Sequence, residues 1–147
     1  MQLVFFNKKA GFEYNFLEKF EAGIKLTGGE VKSIKTGHLS LTGSYVILKS
    51  GEMWLVNANI PPYQAKNTPP GYDASAPRKL LLKKKEIDYL VGKIQESGLT
   101  LLPTKVYTVK GLIKIEIALA RHKKMSDKRE IIKKREAQRE IISGRFF

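Results

Sequence analysis

Apolar residues recur along the chain with two periods, and each period assigns an element. From Leu112 to Ala120, Ile113, Ile115, Ile117 and Leu119 alternate with Leu112, Lys114, Glu116 and Ala118. Period two marks a strand with one face on a core. Thr100–Val109 precedes it across Lys110-Gly111, so the two segments form a hairpin, and Pro103 puts an edge or a bulge in the first arm. Ser44–Lys49 and Glu52–Ala58 make a second strand pair around Ser50-Gly51, a two-residue turn. Ile87, Leu90, Val91 and Ile94 follow helical spacing, which predicts an amphipathic helix over Lys84–Ser97 ending at Gly98. Asn15-Phe-Leu-Glu18 reads as a capping box, with Phe16, Leu17 and Phe20 on one helical face and a stop at Gly23. Another short helix is expected around Glu30–Lys35, ending at Gly37. Five of the six prolines lie between 61 and 77, which makes that stretch a loop. Tyr45, Trp54 and Tyr107 fall at core spacing and are expected inside. The pattern predicts a mainly β fold with short helices. Several short antiparallel strands favour a small barrel over a parallel sheet, and an OB-like barrel fits the size.

Composition changes the picture through charge. The 147 residues carry 27 Lys+Arg against 14 Asp+Glu, a net charge of +13. Such an excess points to a polyanionic partner. Residues 1–120 hold a net +7 and residues 121–147 a net +6, so almost half the charge sits in under a fifth of the length. The shift sets a boundary near Ala120, with a barrel over 1–120 and a basic tail over 121–147. The tail can be drawn as a helix capped by Ser126 or Asp127, but Arg135 and Gln138 interrupt the face that carries Ile131 and Ile142. With no continuous apolar face to bury, the tail is expected to be disordered when free and helical against RNA.

Candidate chemistry is mostly excluded. There is no cysteine, and His38 and His122 are the two histidines, so thiolate catalysis and a Cys- or His-rich metal site have no residues to use. Glu13, Glu18 and Glu21 read as solvated charges. Gly28-Gly29-Glu30-Val31-Lys32-Ser33 lacks the spacing of a phosphate loop. No catalytic group, metal or cofactor is expected. Met1–Phe6 is too short for a signal-peptide core, and no stretch approaches the roughly 20 apolar residues of a membrane span, so a cytoplasmic protein is expected. Binding residues are better represented. Arg78-Lys79 and Lys83-Lys84-Lys85 flank Leu80-Leu81-Leu82, Asn7-Lys8-Lys9 adds a second basic group, and Phe12, Tyr14, Tyr63 and Tyr72 offer stacking surfaces. A ribosomal structural protein, a general single-strand binder or, less well supported, an RNA-processing enzyme would also fit these features.

A series of blocks narrows the choice. Asn7-Lys-Lys-Ala10, Phe20-Glu-Ala-Gly-Ile24, Gly29-Glu-Val-Lys-Ser33, Ser44-Tyr45, Asn57-Ala-Asn-Ile-Pro61, Arg78-Lys-Leu-Leu-Leu82 and Asp127-Lys-Arg129 occur in order across nearly the whole chain. Together they resemble the small protein B family, also called SsrA-binding proteins, the partners of transfer-messenger RNA in bacterial trans-translation. The resemblance implies an OB-like barrel that binds the tRNA-like domain of that RNA. It also implies a tail that enters the decoding centre and empty mRNA channel of a stalled ribosome, chiefly against small-subunit RNA. Carried over by position, the barrel residues are Asn7, Lys8, Lys9, Glu21, Lys35, Lys79, Leu81, Lys83 and Lys114. Asp127, Lys128 and Arg129 match the tail motif, and Lys123, Lys124, Lys133, Lys134 and Arg135 supply further tail cations. Two positions depart from the family pattern: Ser126 stands where an aromatic or histidine is frequent, and Phe12 where histidine is common. A monomer is expected when the protein is free.

Overall fold

The computed structural model describes residues 2–64, 66, 68–95, 98–124, 129 and 132–137. In chain order these form β1 (Gln2–Phe6), α1 (Lys8–Glu13), β2 (Tyr14–Ile24), α2 (Gly28–Lys35), β3 (Tyr45–Lys49), β4 (Glu52–Val56), β5 (Arg78–Leu81), α3 (Lys84–Gln95), β6 (Leu99–Val109) and β7 (Leu112–His122). Residues 132–137 add a further helical stretch.

Strand pairing closes on itself. β6 pairs with β3, β3 with β4, β4 with β5, β5 with β2, β2 with β7 and β7 again with β6, all antiparallel. β1 adds to β6 outside this ring. The result is the expected antiparallel β-barrel with short helices. Both anticipated hairpin turns are present, with positive φ at Ser50 and Gly51 (54° and 75°) and at Lys110 and Gly111 (50° and 80°). Left-handed conformation at both central residues matches the turn to the strands' right-handed twist. The irregularity expected at Pro103 is a register shift between Pro103 and Lys105.

Alternation carries the core. Ile115, Ile117 and Leu119 of β7 join Met53, Leu55, Leu80 and Leu101 inside the ring, and α3 lays Leu90 against them. A smaller cluster of Ala10, Leu102 and Ala120, with Tyr14 and Phe16 packed on it, seats α1 outside the barrel. Glu30 and Arg78 form a buried ion pair at 2.7 Å. Arg78 also donates to the Ala58 and Ala74 carbonyls, each at 2.9 Å, and so ties α2 and the proline-rich segment to β5. The desolvated guanidinium is stable there because several acceptors surround it.

Three sequence expectations change. The helix drawn from Asn15 to Gly23 is strand β2, paired with β7 and β5. Its register shifts between Phe16 and Glu18, which breaks the strict alternation and leaves Phe16 and Phe20 at a spacing that imitates a helix turn. The actual capping box lies at Thr27 and Glu30, opening α2. Of the aromatics expected in the core, Tyr107 is buried but on the outer side of the sheet against Glu21, Tyr45 is 41% exposed, and Trp54 is half-buried on the outer side of β4 between inward Met53 and Leu55.

Candidate nucleic-acid interface

Register assembles one outer face from four strands. Gly23 on β2 stands opposite Leu81 on β5 and Lys114 on β7, and Lys114 stands opposite Tyr107 on β6. Two residues along β2, Glu21 faces Glu116. On the other side Lys79 of β5 faces Trp54 of β4. Leu81 is 52% exposed, and its Cβ lies 3.3 Å from where a Cβ would stand on Gly23. The glycine lets the apolar side chain lie close over β2. Lys83, two residues on, is exposed just before α3, and its amide donates to the Glu86 carboxylate at 3.3 Å.

Two carboxylates directly opposite each other repel unless compensated. The Tyr107 hydroxyl donates to Oε2 of Glu21. Thr104 donates to Glu116 at 2.5 Å, and the Lys105 ammonium lies 3.9 Å from it. Burial, then the hydrogen bond to Glu21 and its charge, push the Tyr107 phenol above its ordinary pKa, which keeps it a donor. Glu21 is thus anchored through one oxygen while the residue stays exposed. Lys79 pairs with Glu52 at 3.2 Å, a contact half open to water and therefore weak.

A second basic region lies at the other end of β2. Asn7 is buried and caps α1. Its carbonyl oxygen accepts from the Ala10 amide at 3.3 Å, and its Nδ2 donates to the Pro103 carbonyl at 2.9 Å. Lys8 and Lys9 follow it into solvent. β7 ends beside them. His122 packs edge-on against Tyr14 with ring centres 5.0 Å apart, and the Lys123 ammonium donates to the Gly11 carbonyl at 3.0 Å. The Lys123 amide donates to Glu13, so the root of the tail is clamped to the end of α1. Farther on, Arg135 in the 132–137 helix stands over the Phe12 ring at 5.4 Å. The side chains of that helix are all exposed.

Of the residues singled out from sequence, the fold brings Glu21, Lys79, Leu81, Lys83 and Lys114 together, and Asn7, Lys8 and Lys9 at the α1 end. Lys35 sits apart from both, exposed at the last position of α2. In the tail, Lys123 is half-buried, whereas Lys124, Arg129, Lys133, Lys134 and Arg135 are exposed. Asp127, Lys128 and Ser126 lie outside the described residues. Arg78, counted with the surface cations from sequence, is internal. Tyr72 is also committed to the fold: its hydroxyl donates to the Ile60 carbonyl at 2.7 Å and accepts from Arg78. Sequence reasoning missed Tyr107 and Gly23. Their signal is pairing register, which no local pattern displays. Among the described residues no group of three His, Cys, Asp or Glu side chains is placed to hold a metal ion.

Fold and surface together define a small, strongly basic barrel protein with charged side chains arrayed outside a closed core. The family described as SmpB protein matches residues 4–144. The SsrA-binding protein of Trichormus variabilis is 48% identical over 135 residues, covering 92% of this chain and 87% of its own. That of Thermosipho africanus is 49% identical over 142 residues, covering 96% and 95%. A solved chain described as "tmRNA-SmpB: a journey to the center of the bacterial ribosome" is 43% identical with a TM-score of 0.68, covering 82% of this chain and 85% of that one. The chain belongs to the SmpB protein family.

Proposed function

We propose that this protein is an RNA-binding adaptor of trans-translation in the cytoplasm. In this reading the barrel, residues 1–120, binds the tRNA-like domain of transfer-messenger RNA. The tail, residues 121–147, enters the decoding centre and empty mRNA channel of a stalled ribosome. The protein acts by binding and positioning rather than by catalysis, as a monomer when free. The observation that carries the reading is the convergence of Glu21, Lys79, Leu81, Lys83 and Lys114. They come from distant parts of the chain, and the family resemblance selected them without reference to the fold.

Each group has a distinct part. Lys79, Lys83 and Lys114 neutralise phosphates, a contribution that carries affinity but no sequence information. Glu21, held by Tyr107, presents its other oxygen as an acceptor for a base edge or a ribose hydroxyl. Leu81 gives an apolar contact between these charges. Asn7 acts indirectly, by capping α1 and setting the direction of Lys8 and Lys9. Beyond Lys124 the tail carries Lys128, Arg129, Lys133, Lys134 and Arg135 toward ribosomal RNA, with Asp127 at the start of that run.

Competition binding tests the reading. The protein should prefer the tRNA-like domain of transfer-messenger RNA to an unstructured RNA of equal length at physiological salt. Equal affinity for the two would make it a general single-strand binder instead.

A further inference from the structure

The sheet face described above does not stop at Lys79. Across β4 and β3 its next outward residues are Trp54 and Ile47, which stand opposite each other in the register. Trp54 and Pro77 form a ridge between two open clefts. One, of about 320 Å³, is lined by Ile47, Lys49, Ser50 and Glu52 besides the ridge. The other, of about 460 Å³, includes Lys25, Leu26, Asp73 and Lys79. Trp54 is half-buried, and the open part of its side chain borders both clefts. Neither Lys25 nor Lys49 has an acidic partner among the described residues. An aromatic surface with a free cation on each side and a third cation beside it suits a single-stranded nucleotide, whose base stacks while its phosphates meet ammonium groups.

We infer that the RNA interface extends over β4, with Trp54 as a stacking platform for one unpaired base and Lys25 and Lys49 as contacts for the flanking phosphates. The inference rests on the reading of the Leu81–Gly23–Lys114 face as the interface for transfer-messenger RNA, and continuity with that face selects RNA over a protein partner. Glu52, paired to Lys79, marks the seam: phosphate binding at Lys79 displaces the carboxylate and opens the way from one cleft to the other.

Trp54 is the sole tryptophan of the chain, so its emission reports on this position alone. The full-length protein is titrated with the isolated tRNA-like domain and excited where tyrosine does not absorb. Stacking should quench Trp54 along the same curve as a mobility-shift assay and should protect it from acrylamide. Trp54→Ala should weaken binding roughly 5- to 100-fold, and Trp54→Phe should retain most of the affinity, since base–aromatic stacking tolerates a change of ring. A melting curve for each variant separates a lost contact from a lost fold. Emission and acrylamide access that stay unchanged at saturating RNA overturn the inference, whatever the variants do. If Lys79→Ala/Lys83→Ala still weakens binding in that case, the main interface stands without the extension. A lysine double variant that binds like the wild type instead overturns the interface from which the extension starts.

Discussion

The two ends of β2 are basic for different structural reasons. At the Gly23 end, Lys79 and Leu81 of β5 and Lys114 of β7, beside Glu21 of β2, are fixed by hydrogen-bonded register, and the face is as rigid as the barrel. At the Tyr14 end, the cations sit on a six-residue helix capped by Asn7 and on the chain that leaves β7. There Lys123 hydrogen-bonds to Gly11 and Glu13 of α1, and Arg135 stands over the α1 ring of Phe12. One end offers a preformed array, suited to a folded RNA of fixed shape. The other offers a pivot and a string of charges, suited to a partner that shapes the segment on binding. On the proposed reading, a single net charge conceals two recognition strategies.

The sharpest way to break this comparison is to remove the string. Truncation after Lys124 preserves the clamp at Gly11 and Glu13, so affinity for transfer-messenger RNA should stay within about twofold, while tagging of stalled peptides in a reconstituted translation system should be abolished. Tagging at the wild-type level by the truncated protein would erase the distinction between the two ends.

Within the array, adjacent residues of β5 should behave oppositely. Arg78→Ala strands a buried Glu30 carboxylate and should cost about 3–5 kcal/mol in denaturant unfolding. Lys79→Ala/Lys83→Ala should leave the melting temperature nearly unchanged but weaken RNA binding. It should also flatten the slope of log affinity against log salt by about 1 to 2. A melting loss in the lysine variant as large as that of Arg78→Ala would show that outward and inward positions are not distinct.

Acid reaches the same pair. Burial raises the Glu30 pKa, but hydrogen bonds from Thr27 and the Arg78 guanidinium outweigh it, and the net shift is downward from 4.5. A depressed carboxyl contributes stability above its unfolded pKa and loses it as pH falls through the folded value. Wild-type stability should therefore drop below about pH 4.5. Glu30→Gln, already neutral, should be less stable at pH 7 and show a shallower drop in melting temperature between pH 7 and pH 3. Parallel curves for the two proteins would remove Glu30 from the acid response. The smallest effect belongs to Tyr107→Phe, which releases Glu21. It should cost about 1 kcal/mol in stability and a few-fold in RNA affinity, measured by denaturant titration and filter binding.

How much of this was legible beforehand follows from the range of the interactions involved. The Ser50-Gly51 and Lys110-Gly111 turns were readable because turn chemistry is local, as was α3, whose apolar stripe needs no partner to be recognised. β2 was misread because Asn15 and Glu18 have capping chemistry, and a bulge at Leu17 disguises the period of two. Pairing with β7 and β5 then overrides local propensity. Trp54 was expected inside from its spacing, although its neighbours Met53 and Leu55 alternate with it and claim the inside. Lys79, Lys83 and the Asn7–Lys9 cluster stood out as charge runs, whereas Glu21, Lys35 and Lys114 came from the family resemblance. The common placement of Glu21, Lys79, Leu81, Lys83 and Lys114, and the supporting roles of Gly23 and Tyr107, required the register.

The clamp at Lys123 also fixes a length. From Lys114, on the face proposed for RNA, to His122, the last residue before the clamped Lys123, β7 runs eight residues, about 27 Å at the rise of a strand. Lys114 and His122 belong to one hydrogen-bonded strand, and Lys123 follows it directly, so the span is set by covalent geometry and does not flex with the tail. The barrel therefore acts as a caliper. On the proposed reading, the RNA on the face and the channel the tail enters are held at a set separation, so a residue inserted into β7 would shift the jaw as well as weaken the sheet.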